Sequence, residues 1–469
     1  MVVKPWFAQA WKIPFVVLPD EQLLHPETEG RAMKYRTVAA GAGFAGDRIE
    51  AAVTLAASSK VHAIGLECLA ERTLVPGLRA RKSDPNVGYD PRLDRRMRPL
   101  LPVAMANNCC VISNLGAANP RSAGLKIAGL AEEAGCSGMR IAAVVGDDVM
   151  TLADRIEWND QFDGTLLGAH AYLGVEALAP AVQEDANVIV TGRVADSALF
   201  SADPLKILRD HDDALAGATT IGHLLECTGQ VTGGNFEMPD GSSLSAEDFA
   251  SLGFPLAHVF EDGTAELGLL DGQPGRIDKL TCVLQLLYEV HDPSGYITPD
   301  GILDLTGVHF KELGGNRVHV SGACFRGKPS KLKVSGFVEQ PGFIADIEMG
   351  YAGTHALHRG RVAVDTLRVR LEDIPDEDIQ IDLVGVDSTL GAASLPPANW
   401  MPEVRLHVSA RCPDAELAQI VEDEVYALTL SGPAGGGSIR SERRPSLIVV
   451  DGLIDRDLVK TEIVWETAK

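Results

Sequence analysis

Short apolar runs alternate with stretches of helical spacing through the first two thirds of the chain. The runs lie at 37–40, 61–66, 109–113, 139–145 and 187–191. Between them, 47–58, 120–134 and 173–182 carry apolar residues at three- and four-residue intervals. Uninterrupted apolar strands separated by helices predict an α/β fold: a mostly parallel, Rossmann-like sheet flanked by helices. Such sheets present their ligand sites at the carboxyl ends of the strands. After Asp300 the texture changes. Residues 317–323, 331–337, 361–371, 379–386 and 403–410 alternate or are β-rich, and 414–430 reads as one helix. This predicts a smaller α+β domain with an antiparallel sheet. Residues 432–437 (GPAGGG) cannot be regular structure and predict a tight, glycine-lined loop. The domain reading is therefore an N-terminal extension over 1–32, an α/β domain over 33–300 and an α+β domain over 301–469.

Composition narrows the function classes. The chain has 469 residues and a formal charge of −23. Nucleic-acid binding rests on lysine and arginine neutralising phosphates, so this charge argues against it. No apolar run approaches the ~18 residues of a membrane helix, and no leader with a small-residue cleavage site is evident. The expectation is a cytoplasmic protein that does not enter membranes. Eight cysteines without a Cys-x-x-Cys pair argue against a disulfide framework or structural zinc.

Polar loops follow the predicted strands. The first strand runs into Gly41-Ala42-Gly43-Phe44-Ala45-Gly46, a formal G-x-G-x-x-G, and Glu67 stands roughly 20 residues downstream, as in a dinucleotide fingerprint. Asp47 follows the third glycine directly, where a pyrophosphate would meet a carboxylate. The expectation is that NAD or FAD does not bind there. Later strands end at Asn114 and Asn119, at Asp147-Asp148, and at Arg193 with Asp196. In Thr220–Cys227 (TIGHLLEC), His223 and Glu226 stand three apart and share a helix face. An imidazole beside a carboxylate is a usable acid/base pair or half a metal site.

Taken together, GAGFAGDR (41–48), LAERT (69–73), GYDP (88–91), SNLGAANP (113–120), TGRVADSAL (191–199), GHLLEC (222–227), QLLYEVHDP (285–293), YITPDGILD (296–304) and SGPAGGG (431–437) resemble the acyclic terpene utilisation family, AtuA. The resemblance begins near Met33. It departs from the family pattern at Ser431, where members usually carry Asn, and at Ser438, where they carry a fourth glycine. The family is named for bacterial breakdown of citronellol and geraniol, and it is not an established nicotinamide dehydrogenase family. Many members occur with a small companion domain, fused or separately encoded, so a companion subunit is an expected partner, together with a homo-oligomer. The expected activity is non-redox chemistry of hydratase, lyase or isomerase type on a branched or unsaturated carboxylate or its CoA thioester. The alternative is a non-catalytic ligand-binding or scaffold subunit. The catalytic candidates are His223, Glu226 and Asp196. The candidates for binding an anionic substrate are Arg193, Asn114, Asn119, Gly43 and Gly46. No cofactor is assigned; Asp147, Asp196 and Glu226 are the candidates for holding a divalent metal ion.

Overall fold

A computed structural model describes residues 33–209, 212–238, 240–394 and 401–469. The proposed extension over 1–32 lies outside the described residues. Two compact units are present. One comprises residues 33–162, 166–338 and 449–469, and the other 163–165 and 339–448.

The larger unit is built on a ten-stranded sheet. Its centre consists of β1 (Tyr35–Ala42), β2 (Ala63–Leu66), β3 (Cys110–Ser113), β4 (Arg140–Val145) and β5 (Val188–Thr191). These pair in parallel in the order β1-β2-β3-β5-β4. Successive side chains on a strand point to opposite faces. Accordingly Val38, Ile112, Val144 and Ile189 enter one core, while Ala39, Val111, Ile141 and Val190 enter another on the opposite face. Burial on both faces is why these strands read as unbroken apolar runs.

The sheet is mixed rather than mostly parallel. Leu256–Phe260 pairs antiparallel with β1 and leads through Ala265–Gly268 and Val318–Ser321 to His309–Glu312; on the far edge Glu462–Thr467 pairs antiparallel with β4. The outer strand His309–Glu312 is largely exposed, so it carries no apolar run to announce it.

Helices follow the parallel strands. Pro120–Glu133 opens on Asn119, whose side chain accepts from the Ser122 amide at 3.2 Å, with Pro120 in the first turn. The expected helix over 173–182 is broken at Leu178 into a 3₁₀ turn, Val175–Ala177, and the short helix Ala179–Gln183, which carries Pro180 in its first turn. No helix among the described residues is long and apolar enough to cross a membrane.

In the smaller unit, Glu403–Cys412 pairs antiparallel with the later part of Lys331–Ala352 and with Ile379–Val384. Helices Ala356–Arg370 and Ala415–Ser431 cover one face of this sheet. The β-rich reading of 361–371 is corrected: the segment belongs to a helix. The helix buries Ala356, Gly360, Ala363, Val364 and Leu367, a helical spacing. Val362 and Val369, which lent it a strand-like alternation, are exposed.

Candidate functional site

The carboxyl ends of β2, β3 and β5 gather a set of polar side chains. After β5 the chain passes through Gly192 and Arg193 to Asp196 and Ser197. The helix Asp212–Glu226 lies directly against this loop, because Gly222 presents bare backbone to the Ser197 carbonyl, where a Cβ would collide. Glu226 thereby comes near enough to Asp196 for its charge to act on that carboxyl. Gly192 is needed likewise, since a side chain there would strike the Asp147 carboxylate.

Arg193 is the hub. It is 2% exposed, its Nη2 donates to Asp196 Oδ1 at 3.2 Å, and its guanidinium lies 4.4 Å from the centre of the Tyr172 ring. Its Nε is buried without a hydrogen-bond partner. Burial opposes its charge, but Tyr172, Asp196, Glu71 and Glu67 hold its pKa above the ordinary value. Tyr172 donates its hydroxyl to Glu71 at 2.6 Å; although burial acts the other way, this bond keeps the Glu71 carboxyl below its ordinary range.

Glu67 ends β2. Its Oε1 accepts from the Leu69 amide at 2.8 Å and from Asn114 Nδ2 at 3.2 Å, while Asn114 Oδ1 accepts from the Cys68 amide at 2.7 Å. Burial pushes the Glu67 carboxyl up, against the pull of Arg193. Asp196 is raised well above the carboxylate range, first by burial and then by the charge of Glu67, with Glu226 and Glu71 adding to it. Even so, 38% of the Asp196 side chain is open to solvent.

The expected His223–Glu226 pair is formed, with Nδ1 and Oε1 2.8 Å apart. The other ring nitrogen, Nε2, donates to the Leu286 carbonyl at 3.2 Å, since that oxygen can only accept. Burial opposes a charged imidazole, but Glu226 outweighs it and raises the His223 pKa. The ring is 1% exposed and packs 5.4 Å from the Tyr296 ring. Both nitrogens are therefore engaged within the protein.

The other candidates lie outside this set. Asp147 Oδ2 accepts from the Arg193 amide and faces His170 Nδ1, both at 2.8 Å, so it fixes the backbone under the arginine. Asn119 caps its helix and donates to the Pro85 and Val87 carbonyls, both at 2.8 Å, which engages the whole side chain. Gly43 packs on the end of the Asp212–Glu226 helix, where a Cβ would sit 2.7 Å from the Glu226 carbonyl oxygen. Its amide donates to Asp47 Oδ2 at 3.0 Å, which also accepts from the Thr228 hydroxyl at 2.9 Å. In the same turn a side chain at Gly46 would meet the Phe44 ring. Among the described residues, no three His, Cys, Asp or Glu side chains are grouped as a metal ion's ligands would be.

Sequence reasoning missed His170, Tyr172 and Glu71. His170 is buried beside Asp147 with its Nε2 unpartnered. Glu71 stands in LAERT, a segment of the family resemblance, but nothing in that segment marks it as reaching Arg193; the link runs through Tyr172, far away in the chain.

The model of the acyclic terpene utilisation family protein AtuA matches residues 37–465. The chain belongs to this family. Comparison with curated proteins and with solved structures gives no match. In this AtuA chain, the segments that carry the resemblance include two of the loops and the helix end described above: SNLGAANP supplies Asn114, TGRVADSAL supplies Arg193 and Asp196, and GHLLEC supplies His223 and Glu226.

Proposed function

We propose that this AtuA protein is an acid–base enzyme of terpene utilisation, of hydratase, lyase or isomerase type. Its substrate is a branched or unsaturated carboxylate or the corresponding CoA thioester. The observation that carries this reading is Asp196, an accessible carboxyl whose pKa the surrounding protein raises and which is hydrogen-bonded to a buried arginine whose Nε has no partner. A carboxylic acid kept neutral near pH 7 can donate a proton. Arg193 receives the substrate's carboxylate or thioester oxygen through Nε, stabilising charge that develops on it. Asp196 delivers a proton to the substrate, and Glu226 removes one from water or from the substrate carbon. His223 serves through Glu226: with both nitrogens engaged, it holds that carboxylate in place.

The test incubates purified protein with branched and unsaturated acids and their CoA thioesters and follows conversion by mass spectrometry. Asp196→Asn and Glu226→Gln keep side-chain volume and should lower turnover by about 10²–10⁴ with the fold intact. Full turnover in both variants, or simple unfolding of both, refutes the assignment. One observation favours a second reading. The engaged, buried His223 suits a non-catalytic ligand-binding subunit, which would bind such an acid without converting it.

A further inference from the structure

The smaller unit carries a feature that the acid–base reading leaves unused: the glycine run 432–437. It passes over the start of the helix Ala356–Arg370. We propose that this corner is a second, independent site, which binds the phosphate group of a phosphate monoester or of free phosphate.

Three observations converge there. The fifteen-residue helix Ala356–Arg370 has no side-chain cap; its N-cap, His355, holds a left-handed backbone with φ 67°. The Ala356 amide donates to the Gly353 carbonyl and the Arg359 amide to that of His355, so the amides of Leu357 and His358, at the positive end of the helix dipole, are the ones placed to favour an anion. Next, Arg359 leaves the first turn and clasps the loop. Its Nη1 donates to the Ala434 carbonyl at 2.5 Å, and its Nη2 donates to Ala352 at 2.6 Å. It thus fixes a cation at the junction of loop and helix. Third, and independently, the Tyr351 hydroxyl is buried without a hydrogen-bond partner, on a residue 1% exposed. It points at the loop: a Cβ on Gly436 would lie 3.2 Å from this hydroxyl and 2.7 Å from Met349 Sδ. A buried hydroxyl without a partner costs about 1–3 kcal/mol, so a structure that keeps one facing an exposed glycine loop has a donor in place for an acceptor.

Glycine serves two ends here. At Gly435 φ is +78°, a conformation other residues adopt at a cost, and at Gly436 a side chain would crowd the Tyr351 hydroxyl and Met349 Sδ, so only glycine lets the loop backbone lie this close to the hydroxyl. Consecutive backbone amides in such a turn form an anion-binding concavity. Phosphate suits this set better than a carboxylate, because it offers oxygens in several directions at once: to the helix amides, to the loop and to the hydroxyl. The nearby guanidinium supplies the charge.

Two arms distinguish free phosphate from an ester. Isothermal titration of the full chain is run with inorganic phosphate and with adenosine 5′-monophosphate, at constant ionic strength against chloride. Saturable binding of either supports the site, and the tighter of the two names the source. Tyr351→Phe removes only the hydroxyl, and Arg359→Gln removes the cation from a half-buried position; each should weaken binding by about tenfold. Hydrogen exchange on the unaltered protein gives a readout free of folding artefacts: ligand should protect the amides of Leu357 and His358 and of 434–437. Absence of saturable heat with both ligands, undiminished binding in both variants, or protection elsewhere but not in these segments overturns the proposal.

Discussion

Replacing Asp300 by asparagine tests how burial sets a charge in this fold. Asp300 is 5% exposed; its Oδ1 accepts from the Val175 amide at 2.8 Å, and its Oδ2 is buried without a partner. Burial pushes its carboxyl up to about 6, from an ordinary 3.8. A folded-state value above the unfolded one means that the protonated form is the one the fold favours. Relative stability is therefore fully present below about pH 4 and is lost as pH rises through about 6. A shift of roughly two units corresponds to about 3 kcal/mol, fully developed by pH 8, of which roughly half appears between pH 5 and pH 8. Asparagine keeps the acceptor for Val175 and cannot ionise. Its amide group would take the unpartnered position, at a pH-independent cost of about 1–3 kcal/mol. The discriminating quantity is therefore the change in the stability difference with pH. Urea unfolding of wild type and Asp300→Asn, followed by circular dichroism, should show the variant gaining roughly 1.5 kcal/mol relative to wild type from pH 5 to pH 8. A difference that stays flat over this range refutes the burial argument. The result bears on the candidate site, because Val175 follows the turn at Leu173, whose amide and carbonyl bond to Arg193 and Ala195.

Two further outcomes follow from single contacts. Asp47 occupies the amide of Gly43 with a carboxylate of the protein's own, so NAD titrated against the purified chain should give no saturable signal at micromolar concentration; a bound flavin spectrum would contradict this. His407 stands 3.4 Å from Asp382 and 3.5 Å from Asp346, and its pKa is raised, first by the bond to Asp382. Its contribution to stability is present below its ordinary value near 6.5 and is lost as pH rises past the raised one. His407→Gln should therefore lower the urea midpoint more at pH 6 than at pH 9, and equal losses at both would count against the pairing.

What could be read from the chain alone divides along a physical line. The five parallel strands were legible because both faces are buried, which leaves an apolar run with no other explanation. The antiparallel strands at the flanks answer to their neighbours, and Glu462–Thr467 joins β4 from across more than three hundred residues, a pairing no local period encodes. The site divides similarly. Arg193, Asp196, His223 and Glu226 could be placed near one another because strand ends and a three-residue helical spacing are local facts. What those groups are able to do was not local. Leu286 closes the second nitrogen of His223, and Gly222 meets Ser197 across a helix–loop contact. Spacing marks where a titratable pair can form. Whether the pair is free to move a proton is decided by a carbonyl from elsewhere in the chain, and that moves the proton-donating part of the proposal from His223 to the accessible Asp196.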